Sequence, residues 1–103
     1  GEGEAYGAKG NVYYKAFQSC RSNDISTDDR VVATFAYQQF DEAEQKGFSK
    51  YNRSKDWLKD NEVLFGKAQW FMMNADIKNL GYVKVSNNCY NWILEKLKKQ
   101  KGW

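Results

Sequence analysis

Histidine and proline are both absent from this chain of 103 residues, and cysteine occurs only twice. Without an imidazole the commonest general base is missing, and so are the Ser–His and Cys–His nucleophile pairs. Neither cysteine stands in a Cys-x-x-Cys, which leaves no pattern for a zinc site. No apolar run approaches the roughly 20 residues that cross a bilayer. No glycine-rich phosphate loop follows a strand, because Gly1-Glu-Gly-Glu-Ala-Tyr-Gly7 opens the chain itself. Low-complexity blocks and internal repeats are missing too. The carboxylates Asp28, Asp29, Asp41, Glu42 and Glu44 fall on or near one helix and read as its solvated face. Asp56, Asp60 and Glu62 surround Trp57 without a partner spacing. No residue is assigned a catalytic, metal-binding or cofactor-binding role. The expectation is a protein that is not an enzyme and acts by contact.

The length allows one core. Hydrophobic residues make up 42% of the chain and aromatic residues 17%, and rings are an efficient way for a short chain to bury area. Residues 1–10 hold four glycines and no apolar pattern, so they read as a flexible leader or the remnant of a tag, with 11–103 as a single α+β domain. The net charge of +3 is concentrated at one end. Residues 94–103 carry Lys96, Lys98, Lys99 and Lys101 against Glu95, and the other 93 residues hold 12 basic and 12 acidic side chains. The basic character therefore reads as a solvated, lysine-rich end.

Along the chain, residues 11–20 alternate as a strand. Ser26 or Thr27 can cap a helix, Asp28 and Asp29 sit where its N-terminus favours negative charge, and Val31, Val32, Phe35, Ala36, Phe40 and Ala43 recur at helical spacing. Lys46 and Gly47 stop it. The spacing predicts a helix over about 27–46. Residues 54–60 suit a short helical turn around Trp57 and Leu58. The run 62–75 fits either strand or helix, with Gly66 and Asn74 favouring strand. Tyr82–Val85 reads as a short strand, and 90–99 again fits both types. The fold expected is α+β, with one main α-helix packed on a twisted antiparallel sheet.

Cys20 and Cys89 permit one intramolecular disulfide. It would close a loop of about 70 residues and stabilise by roughly 4 kcal/mol on the chain-entropy model. Such a bond points to secretion, whereas two buried thiols would suit a reducing compartment. The sequon Asn52-Arg53-Ser54 is compatible with export. Exposed rings beside basic residues could anchor a protein interface or stack on unpaired bases, and the candidates are Tyr13, Lys15, Arg53, Trp57, Lys67 and Lys84.

The order of elements carries a resemblance. Tyr13-Tyr14-Lys15-Ala16-Phe17-Gln18-Ser19-Cys20, the helix from Asp28 to Ala36, Trp70 to Met73 and Trp92 to Leu94 together resemble the small secreted effectors of cereal powdery mildew fungi. The resemblance implies a ribonuclease-like fold, secretion into a host cell, no nuclease activity, and a host protein such as an immune receptor, or RNA, as partner. A monomer without membrane contact is expected. Two other readings stand beside it. Residues 75–99 have helix-turn-helix punctuation, which would suit a winged-helix-like DNA reader, and the composition fits a small inhibitor or immunity protein.

The cysteine pairing has a direct check. Under denaturing conditions without reductant the chain should refuse alkylation, and reduction should add two hydrogen atoms to its intact mass; free alkylation of both thiols would remove the link to an oxidising compartment.

Overall fold

Positions 3, 7, 10, 13 and 17 recur at intervals of three and four, and in the computed structural model, which describes residues 1–103, they form the inner stripe of a helix. This is α1, Glu2–Cys20, with Gly3, Gly7, Gly10, Tyr13 and Phe17 buried. Two expectations are corrected here: the flexible leader at 1–10 and the strand at 11–20. Val12, Lys15 and Ser19 are exposed while Tyr13 and Phe17 are buried, so the period is 3.6 and not 2. Hydropathy does not reveal the first half of the stripe because glycine fills it. The buried apolar surface there comes from rings on other segments. A Cβ at Gly10 would lie 2.6 Å from Phe40 Cδ1, and one at Gly7 would lie 2.8 Å from Phe48 Cε2.

The expected central helix is observed as α2, Thr27–Gln45. Ser26 Oγ accepts from the Asp29 amide at 3.1 Å, and Asp29 Oδ2 accepts from the Ser26 amide at 3.1 Å, a reciprocal cap. Lys46 and Gly47, at φ 83°, end it. α1 and α2 pack antiparallel, with Gly3 beside Ala43 at one end and the 21–26 link at the other. α3, Asn52–Asp60, covers the flank, with Leu58 buried and the Trp57 ring edge-on to Tyr14 and Phe17. The next segment is fastened to α2 by side chains. Arg30 Nη1 donates to the carbonyls of Glu62 and Leu64 at 2.9 and 3.3 Å, and Thr34 Oγ1 accepts from the Phe65 amide at 2.8 Å.

Two short helices follow, α4 at Lys67–Phe71 and α5 at Ala75–Leu80. Gly81, at φ 77°, ends α5 in the left-handed region and turns the chain into β1, Tyr82–Lys84. A 3₁₀ turn at Asn88–Tyr90 precedes β2, Lys96–Lys98, which pairs antiparallel with β1. One core of 17 buried residues runs through all of this, from Phe17, Val31 and Phe35 to Val83, Tyr90 and Leu97.

The ribonuclease-like α+β expectation is therefore overturned. The chain is 59% helical, with five helices and a two-stranded antiparallel ribbon. The aromatic runs read as sheet strands pair with no neighbour: residues 67–71 form α4, and 92–94 lie outside both strands. In 67–73, Trp70 turns inward onto Trp103, with ring centroids 5.9 Å apart, while Phe71 and Met72 point out. The second helix of the winged-helix reading does not form either, since its residues make the 3₁₀ turn, an extended stretch and β2.

Alanine for glycine inside a helix ordinarily stabilises by about 1 kcal/mol. Gly10→Ala should do the reverse, destabilising by about 1–3 kcal/mol through overpacking against Phe40. In a denaturant-melt cycle, Gly10→Ala combined with Phe40→Leu should lose less than the two single losses added together.

Candidate binding surface

Two adjacent aspartates at the start of α2 hold the C-terminal third of the chain in place. Asp28 Oδ2 accepts from the amides of Ser86 and Asn87 at 3.0 and 2.7 Å. Asp29 is buried, and its Oδ1 accepts from the Tyr90 hydroxyl at 2.6 Å. Its Oδ2 accepts from the Ser22 amide at 3.2 Å and the Ser22 hydroxyl at 3.3 Å, in addition to the cap bond from Ser26. Burial alone would push this carboxyl up, but the bonds from Tyr90, Ser26 and Ser22 outweigh it and hold Asp29 below the usual carboxylate range. Tyr90 moves the other way: burial, then the Asp29 carboxylate, raise its phenol well above the ordinary value. The Cys20–Cys89 disulfide lies beside this junction, with Cα atoms 6.0 Å apart, and joins the end of α1 to the 3₁₀ turn.

A second tether lies along α1. Glu95 Oε1 accepts from the Tyr13 hydroxyl at 2.6 Å and pairs with Lys9 Nζ at 2.6 Å. Burial opposes ionisation of Glu95, but Lys9 and Tyr13 hold it below its ordinary range. Trp92 stacks on Tyr13, with centroids 6.1 Å apart. Residues 89–95 thus run from the end of α1 back along its flank, and β2 follows in a fixed position.

The ribbon has two unlike faces. Val83 sits opposite Leu97, and both are buried. With Val85 and Ile93 they form the inner face, where each buried side chain stabilises by roughly 1.5–3 kcal/mol. The outer face is set by the same alternation. Lys84 lies opposite Lys96, and Lys98 lies opposite Tyr82. All three lysines are exposed, and Lys96 Nζ stands 4.5 Å above the Tyr82 ring. Like charges directly opposite one another cost about 0.2–1 kcal/mol, which the inner face outweighs several-fold. None of the seven lysines in residues 66–103 takes part in an ion pair.

The six residues singled out from sequence are not brought together. Tyr13 is buried with its hydroxyl on Glu95, so it offers no free ring. Lys15 is exposed on α1, Arg53 is exposed on α3, and Trp57, on the same helix, is partly open. Lys67 begins α4, and of the six only Lys84 lies on the ribbon. No hydrogen bond, ion pair or ring contact joins any two of them. Sequence reading missed Lys96 and Lys98 as part of a surface. The matching triplets Tyr-Val-Lys at 82–84 and Lys-Leu-Lys at 96–98, each with one apolar residue between polar ones, carried the signal.

Elsewhere, no group of three or more Cys, Asp or Glu side chains is close enough to hold a metal ion. Asp41 and Glu44 are taken up by Lys55, at 2.8 and 2.7 Å. An open cavity of about 360 Å³ lies among Glu2, Ala5, Tyr6, Lys9 and Gln39, and Gln39 Oε1 is buried there without a partner. Comparison with protein families, with curated proteins and with solved structures finds no match to this chain.

The tethers predict a stability plateau with two limbs. Asp29, Asp41 and Glu95 are held low, so their contribution is complete above about pH 5 and is lost as pH falls through their folded values. Tyr13 and Tyr90 are held high, so their contribution is complete below about pH 9 and is lost as pH rises past the ordinary tyrosine value near 10. Tyr90→Phe should cost about 1.5–3 kcal/mol at neutral pH and flatten the acid limb. Thermal melts across pH read both effects, and an acid limb unchanged by the substitution would disprove the Asp29 assignment.

Proposed function

We propose that this chain is a secreted, non-catalytic binding protein whose contact surface is the lysine face of the ribbon, and that its partner presents closely spaced anionic groups. The observation that carries this reading is the Lys84–Lys96 pair. The two lysines are direct cross-strand partners, about 5 Å apart at Cβ, and neither takes part in an ion pair. An anionic group seated between them removes the repulsion, and Lys98 extends the row. Lysine acts here as a point charge and lacks the forked geometry with which arginine reads a planar acid, so the face suits charge density more than a particular sequence.

The contact-only reading is supported by the absence of histidine and by the use of the polar groups in the structure. Asp28, Asp29, Asp41, Glu44 and Glu95 are all engaged in fastening the fold. Secretion is supported by the Cys20–Cys89 bond. The effector-like reading keeps that support and loses its ribonuclease-like scaffold.

The test uses a heparin column and a labelled single-stranded oligonucleotide as polyanion probes. Binding by the wild type should fall steeply with salt, with a log–log slope near −2 for three lysine contacts on the oligonucleotide. Lys84→Glu with Lys96→Glu should weaken both interactions at least about tenfold with little change in the melting temperature, because a like-charge pair stays across the strands with its sign reversed. Lys15→Glu should leave binding unchanged. Equal retention of the double variant would refute the proposed face.

A further inference from the structure

Resting on that reading, we propose that the anionic partner is the surface of a lipid bilayer, and that Phe71 and Met72 enter it at the level of the headgroups. The α4–α5 turn keeps Trp70 buried and sends the next two side chains into water, with Phe71 73% and Met72 76% exposed. Lys78 secures this turn: its Nζ donates to the Phe71 carbonyl at 2.7 Å and stands 5.1 Å from the centre of the Phe71 ring. A lysine folded along an apolar ring can bury its methylene stem while its ammonium stays at a phosphate layer.

The rest of residues 66–103 has the same make-up. Seven large apolar side chains are exposed on the molecule, and five of them, Phe71, Met72, Leu80, Trp92 and Leu94, fall within residues 66–103. The same 38 residues carry seven lysines against Asp76 and Glu95, and Glu95 is already paired with Lys9. The preceding 65 residues hold nine basic and eleven acidic side chains. The surface contributed by residues 66–103 is therefore both basic and apolar.

That combination separates the possible polyanions. A nucleic acid backbone offers phosphates to the lysines but nothing to Met72, Leu80 or Leu94, which have no flat face to stack on a base. An anionic bilayer accepts both: lipid headgroups attract the lysines, each adding about fivefold to partition, and the interface takes up the apolar side chains. No helix of the structure is long and apolar enough to cross a membrane, so the attachment proposed is peripheral. The sequence expectation of no membrane contact rested on the lack of a spanning run, and a surface contact does not need one.

Co-sedimentation with phosphatidylcholine vesicles, alone and with about 30 mol% phosphatidylserine, tests the proposal. The wild type should sediment with the anionic vesicles and not with the neutral ones. Phe71→Ser with Met72→Ser should reduce that partition at least about tenfold while leaving oligonucleotide binding and the melting temperature unchanged. Phe71→Trp should shift its emission to the blue when anionic vesicles are added, although this protein's other tryptophans make the difference from wild type the relevant signal. Wild-type binding to the oligonucleotide without binding to vesicles would overturn the bilayer and leave the lysine face standing. Vesicle binding unaffected by the serine pair would overturn apolar entry. Binding to neither probe would bring down both readings.

Discussion

Asp29 lies where the link after α1, the first turn of α2 and the segment before β2 meet. A buried carboxylate is expensive unless every lone pair is engaged. Here Tyr90, the Ser26 amide and both donors of Ser22 surround it. The bonds are mutual constraints, because moving any one segment strands a buried charge. Asp28 adds the amides of residues 86 and 87, and the disulfide adds a covalent link across Cα atoms 6.0 Å apart. The position of the ribbon relative to the helical pair follows from this junction.

A two-stranded ribbon is marginal in water by itself. This one persists because Val83, Val85, Ile93 and Leu97 are inserted into a core built mainly by the helices. The helices thus stabilise a surface whose own charges oppose its formation. The molecule divides its labour accordingly: apolar positions decide that β1 and β2 pair, and the outward positions are left free to carry lysines.

α2 was readable from its residues alone, since the cap, the acidic first turn, the apolar stripe and the stop all agreed. The short helix around Leu58 and the strand at Tyr82 were readable for the same reason, as local signals met no competitor. α1 was not, because a glycine stripe is silent in any hydropathy pattern, and the rings that fill it come from residues 40 and 48. The run at 67–73 misled because its apolar residues serve two environments, Trp70 in the core and Phe71 and Met72 in water. For the candidate surface, Lys84 stood out as a residue beside an aromatic one. Its neighbours Lys96 and Lys98 did not, since strand register is a long-range property and the end of a chain reads as solvated.

The glycines of α1 also bear on the order in which the molecule assembles. Each interior glycine weakens a helix by about 1 kcal/mol relative to alanine, and three of them leave the first half of α1 with little tendency to coil unaided. Phe40, Phe48 and Tyr51, the rings that give this segment something to coil against, are all encoded later. During synthesis the glycine-bearing half of α1 therefore lacks its packing partners until α2 and the start of α3 have emerged. Within the helical pair, the segment that comes earlier in the chain depends for its coiling on rings that come later.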